Sequence, residues 1–138
     1  MYKNILIAVD LVHTDQAKRL LDRGRQLLDE GGRVRLLHVL EEVPAYALAA
    51  LPRDLGDKRR AQAKEELRKM ADKLGADADT EVEVRAGPPS SKILEAAGQH
   101  GCDLIMIASH NPGLSDYFIG STASRVVRHA QCSVLVMR

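Results

Sequence analysis

The chain has 138 residues, 45% of them apolar and 28% charged, which suits one folded domain with a sizeable core. Twenty Lys and Arg against nineteen Asp and Glu leave a formal charge of +1, and only 3% of residues are aromatic, none of them Trp. A nucleic-acid partner, which needs a basic excess or a stacking platform, is not expected.

In chain order, Ile5-Leu-Ile-Ala-Val9 is a compact apolar run that reads as a buried parallel strand, ending at Asp10. Thr14 is placed to cap a helix whose Ala17, Leu20, Leu21, Gly24, Leu27 and Leu28 fall at spacings of three and four. Gly31-Gly32 is expected to stop that helix, and Val34 to Leu40 forms a second strand. Residues 41 to 54, with Pro44 and Pro52, are either a functional flap or a surface loop holding a short helical turn. A charged helix follows from Leu55 to Leu74, with Ala63, Leu67, Met70, Ala71 and Leu74 as its apolar stripe and Gly75 after it. Its Lys58-Arg59-Arg60 cluster, balanced by Glu65-Glu66, reads as a solvated face.

Thr80 to Arg85 alternates, with Val82 and Val84 on one side, as suits a strand near the sheet edge. Gly87-Pro-Pro-Ser-Ser breaks the chain before a helix carried by Ile93, Leu94, Ala96 and Ala97 and stopped by Gly101. Leu104 to Ile107 is a fourth strand, Ala123, Val126, Val127 and Ala130 mark a last helix ending near His129, and Ser133 to Met137 closes the chain. Strand and helix alternate throughout, so the expectation is an α/β domain spanning 1–138. It would be an open five-stranded parallel sheet with helices on both faces and right-handed crossovers.

In such sheets ligands sit beyond the carboxyl ends of the strands, where strand order reverses. Strands one and four are the natural pair there, which brings Asp10 together with the loop from Ala108 onward. Asp10 offers a carboxylate for ribose hydroxyls or an adenine amine, and Val39 an apolar wall for a planar base. The loop runs through Asn111, Pro112 and Gly113 to Gly120-Ser121-Thr122 at the start of the last helix. Unpartnered amides, a favourable dipole and two hydroxyls make that helix start a phosphate site. The three features together point to a nucleotide.

Four further residues carry ligand chemistry. His100, Cys102, His129 and Cys132 are expected to gather at the opposite end of the sheet, where zinc is one reading and buried small hydrophobes the other. Their spacing matches no zinc-finger pattern, and two cysteines do not make a disulfide framework. The N-terminus lacks a signal-peptide cleavage region, and no apolar run reaches the roughly 18 residues of a membrane span. A cytoplasmic location without a membrane partner is therefore expected.

The chain resembles the universal stress protein family over nearly its whole length. The matching pieces are Lys3-Asn-Ile-Leu-Ile-Ala-Val-Asp10, Val34-Arg-Leu-Leu-His-Val39, Asp103-Leu-Ile-Met-Ile-Ala-Ser-His110 and the tail from Gly120 to Arg138. It looks most similar to the single-domain F and G type members. The resemblance implies a Rossmann-like fold of the adenine nucleotide alpha hydrolase kind, with strand order 3-2-1-4-5. It also implies a homodimer through the last strand, Val134 to Met137, and ATP or AMP, with or without Mg, as cofactor in one branch of the family. That branch carries Gly, two residues, Gly, nine residues, then Gly-Ser or Gly-Thr. Here Ala108 and Asn111 stand at the first two glycines, and eight residues separate Asn111 from Gly120. Carried over residue by residue, the pattern assigns Asp10 and Val39 to the nucleoside, and Ala108, Asn111, Gly120, Ser121 and Thr122 to ribose and phosphates. Ala8, Val9 and Ile107 at the strand ends, and His110 beside the loop, complete the candidate set. The function implied is a nucleotide-responsive regulator of the stress response. The alternative is an interaction protein of the same fold without nucleotide. No Gly-x-x-x-x-Gly-Lys-Ser/Thr motif is present, so at most weak ATPase or self-phosphorylating activity is expected.

Overall fold

A computed structural model describes residues 1–109 and 119–138. The element order is β1 (Tyr2–Ala8), α1 (Thr14–Leu27), β2 (Leu28–Leu40), α2 (Ala45–Leu48), α3 (Leu55–Lys73), β3 (Glu81–Ala86), α4 (Pro89–Gln99), β4 (Leu104–Ala108), α5 (Ser121–His129) and β5 (Ser133–Met137). The strands form one parallel sheet in the order β3-β2-β1-β4-β5, as expected.

The apolar runs are central because they are buried from both sides. Ile5 and Ile7 join Leu36, Leu104 and Met106 in the core beneath α1 and α3, while Leu6, Leu37, Ile105 and Ile107 join the core beneath α4 and α5. Ile5, Leu6, Ile7, Leu37, Ile105 and Met106 are all fully buried. Alternate residues of one strand thus serve two cores, which is why these runs show no polar alternation. Gly24 lets α1 approach β1 closely, since a Cβ there would meet Ile7 Cδ1 at 3.0 Å. At the far end of the sheet the Asp103 carboxylate accepts the backbone N–H groups of Lys3 and Asn4, each at 2.9 Å, and fastens β1 to the start of β4.

Two local expectations are corrected. Helix α1 ends at Leu27 instead of at Gly31-Gly32, and β2 begins at Leu28. Tyr2 pairs with Leu28 but Asn4 pairs with Arg33, so the glycine pair lies in an irregularity of the ladder. Gly31 has a φ of +78°, which a residue with a side chain reaches at a cost; the glycines therefore permit a bulge where a helix stop was expected. Thr14 is the first helical residue and His13 the cap, without a side-chain capping bond. Residues 41 to 54 hold the single turn α2. Among the described residues no helix is long and apolar enough to cross a membrane.

Candidate functional site

Because all five strands run parallel, every βα connection leaves from the carboxyl edge of the sheet, and the sequence of β1 and β4 fixes what is exposed there. Ala8 and Ala108 are small, so the strand ends leave room that larger side chains would fill. A cavity of about 280 Å³ opens at this point. Ala8, Val9, Asp10, Val39, Ile107, Ala108 and Thr122 all line it, seven of the eleven candidate residues. Gly120 and Ser121 flank it without lining it among the described residues: Gly120 caps α5 and Ser121 is exposed. His110 and Asn111 lie outside the described residues.

Asp10 has two roles. Its Oδ1 accepts the N–H of Val12 at 2.9 Å and shapes the loop after β1. Its Oδ2 lies 3.9 Å from His13 Nε2, and the carboxylate is half exposed at the cavity rim. One oxygen therefore organises the loop while the other is available to a hydroxyl or amine donor. The backbone below is well fixed: Val9 donates its N–H to Leu37 O at 2.9 Å, and His38 Nδ1 meets Val9 O at 3.0 Å. On the other wall Ser109 donates its N–H to Met137 O at 2.7 Å, tying the exit of β4 to the end of β5. Gly120 O accepts the N–H of Ser124 at 2.8 Å and starts α5, whose first amides lie beside Thr122 at the cavity.

The described lining offers groups for recognition. An apolar floor from Leu37, Val39, Ile93 and Ile107 suits a flat ring, and Asp10 and Glu41 supply acceptors at the rim. Sequence reasoning missed His13, Gln16 and Glu41. A usable signal for the first two was present: Gln16 precedes the buried Ala17 and leads to Leu20 at helical spacing, and His13 lies three residues after Asp10. Glu41 follows β2 directly and carries no pattern.

At the opposite edge the four His and Cys side chains do not gather as expected. Cys102, His129 and Cys132 line one cavity, but His100 turns away and its Nε2 meets Glu83 Oε2 at 2.9 Å. Among the described residues no three His, Cys, Asp or Glu groups converge as a metal shell. Burial pushes the Glu83 carboxyl up, but Arg85 and His100 outweigh it and leave the group below its ordinary value. At Asp103 burial likewise pushes upward, and the amides of Lys3 and Asn4 prevail and lower it.

The universal stress protein family model matches residues 1–138. Universal stress protein G of Escherichia coli O157:H7 is 34% identical over 145 residues, covering 100% of both chains. Universal stress protein A homolog 2 of Coxiella burnetii is 30% identical over 141 residues, covering 99% of this chain and 95% of its own. Among solved structures, the protein MJ0577 superposes with a TM-score of 0.77 at 25% identity, covering 99% of this chain and 96% of its own. The universal stress protein UspA of Lactobacillus plantarum does so with a TM-score of 0.69 at 27% identity, covering 99% and 98%. Fold, strand order and full-length similarity agree, and the chain belongs to the universal stress protein family.

Proposed function

We propose that this chain is a nucleotide-responsive regulator of the stress response that binds ATP or AMP in the cavity at the carboxyl ends of β1, β2 and β4. The observation that carries the reading is the meeting of Asp10, Val39, Ala108 and Thr122 around one cavity at the switch point of the sheet. In this reading the base lies on Val39 and Ile107, and an oxygen of Asp10 accepts from the ribose or the base. The phosphates meet the first turn of α5, where Mg would accompany ATP. A protein of the same fold has been crystallised with cAMP, which supports a nucleotide as the ligand class. No catalytic group is assigned. The regulator acts in the cytoplasm as a homodimer paired along β5, whose Val134, Leu135, Val136 and Met137 are half-buried aliphatic side chains on a terminal strand.

Equilibrium dialysis with ATP and with AMP tests the site. Saturable binding is expected for the wild type, and Asp10→Ala should weaken it by at least about tenfold, the loss of one charge-assisted hydrogen bond. Absence of saturable binding in the wild type overturns the reading. It would favour the interaction protein without nucleotide, to which the Ala108 and Asn111 replacements in the glycine pattern already lend weight.

A further inference from the structure

Of the long connection from β2 to α3, the cavity at the switch point uses only Glu41. The rest of that connection, with the start of α3, encloses a separate cavity of about 330 Å³. Val43, Leu51, Pro52 and Leu55 line it with apolar surface, and Arg53 and Arg59 line it with charge. Such a volume stands at the small end of the roughly 300–1,000 Å³ usual for ligand pockets, which suits one anchoring side chain. Val43, Leu51 and Leu55 are only half-buried, so the described chain leaves part of their apolar surface in water.

The charges around it follow from how the carboxylates of this stretch are used. Residues 41 to 60 hold four cations, Arg53, Lys58, Arg59 and Arg60, and four acids, Glu41, Glu42, Asp54 and Asp57. Lys58 takes Asp54 at 3.0 Å, and Arg60 takes Asp57. Glu41 lines the other cavity, and Glu42 lies beside Gly87. Among the described residues Arg53 and Arg59 form no ion pair. The two guanidinium groups left without an acid are therefore the two that line the cavity. A guanidinium presents a planar fork of donors that matches a carboxylate.

The even balance of charge over this stretch tells partners apart. A lipid surface is held by a cluster of about 4–8 Lys and Arg, and here two of the four cations are already neutralised. Two free cations beside an apolar lining instead complement a short segment in which carboxylates flank an apolar side chain. Tyr46 of α2 lies along the chain between Val43 and Leu51 and is 86% exposed. Tyr and Arg are the residue types that protein interfaces concentrate.

We propose that the connection from β2 to α3 is a docking surface for an acidic peptide segment of another protein. One apolar side chain of that segment enters the cavity, and carboxylates on either side of it meet Arg53 and Arg59. No residue lines both this cavity and the one at the switch point, so the surface stands whether or not nucleotide binds.

The test is fluorescence anisotropy of the full chain with a labelled peptide in which Leu is flanked by two Glu on each side. Saturable binding is expected. It should weaken at least about tenfold when Gln replaces each Glu, and similarly when Ser replaces Leu. These changes leave the protein untouched. Arg53→Ala and Arg59→Ala should each weaken binding by about tenfold, with circular dichroism confirming that the variants fold. Lys69→Ala, whose side chain pairs with Glu65 further along α3, should leave affinity unchanged. Phosphatidylserine vesicles run in parallel should stay unbound. No saturable binding of the acidic peptide, equal binding of the Gln or Ser peptide, or unchanged affinity in either folded arginine variant would overturn the proposal. So would an equal loss in Lys69→Ala, which would reveal diffuse attraction, or vesicle binding that Arg53→Ala removes, which would assign the surface to a membrane.

Discussion

The two edges of the sheet are built from opposite chemistry. Along β3, Glu81, Glu83 and Arg85 meet Arg35 of β2 in a continuous charge network. Arg35 Nη1 lies 3.4 Å from Glu83 Oε2, Arg85 Nε 2.5 Å from Glu83 Oε1, and Arg35 also pairs with Glu81. His100 joins from the end of α4, and Arg85 reaches Gln99 at 2.6 Å. Along β5 there is no charged residue at all, only Ser133 followed by four aliphatic side chains. A terminal strand leaves backbone groups open to pairing, and charge is one of the ways proteins discourage it. Charge along β3 opposes pairing with a further strand, whereas the apolar β5 edge carries no such charge and is the one the proposed dimer would use.

The sharpest way to break that contrast is to put charge on the apolar edge. Val136→Lys should convert the proposed dimer to monomer in sedimentation, weakening association by at least about 100-fold, because an unpaired charge would be buried in the new interface. Wild-type protein that sediments as a monomer would remove the contrast altogether.

The next effect belongs to the charged edge and is read through pH. Glu83 sits below its ordinary value of 4.5 in the folded chain, so its stabilisation is present above that value. It is lost as pH falls through the lowered folded value. Urea unfolding midpoints should therefore decline as the solution is acidified below about pH 4.5. Glu83→Gln should flatten the decline and cost about 1–2 kcal/mol at neutral pH, by loosening Arg85 and His100. Asp103 is lowered too and declines in the same direction, so Asp103→Asn separates the two contributions. A wild-type midpoint that stays level on acidification would show the network to be decorative.

The smallest effect marks the outer limit of the network. Arg33 pairs with Glu81 at 3.9 Å, and both side chains are well exposed. Arg33→Ala should change unfolding free energy by less than about 0.5 kcal/mol, since exposed ion pairs contribute little. A larger loss in a denaturant titration would extend the protected edge outward.

Much of this architecture was legible in the residues because the central strands are fully buried runs. Ile5 to Ile7 and Leu104 to Ile107 admit no polar position, and only a sheet covered on both faces uses such runs. The carboxyl-edge cavity was legible for the same reason: once strand order is known, Asp10, Val39 and Ala108 must end at one edge. What escaped were features set by distance in the fold. Gly31-Gly32 carries the same local signal whether it ends a helix or bulges a strand, and only the pairing of Tyr2 with Leu28 decides. His100 looked like a potential metal ligand, yet it is bound to Glu83, 17 residues away along the chain. Glu41 is an unremarkable charge until the end of β2 is known to face the cavity.

The fastening of β1 by Asp103 has a consequence for how the chain is made. Lys3 emerges early in synthesis, and the carboxylate that receives its amide follows 100 residues later. The first strand can pair with β2 soon after translation begins, but its second neighbour arrives only when most of the protein is complete. The middle of the sheet thus closes late, with only the edge strand β5 still to come, and a ribosome stalled before β4 would hold out a greasy half-sheet for chaperones to cover.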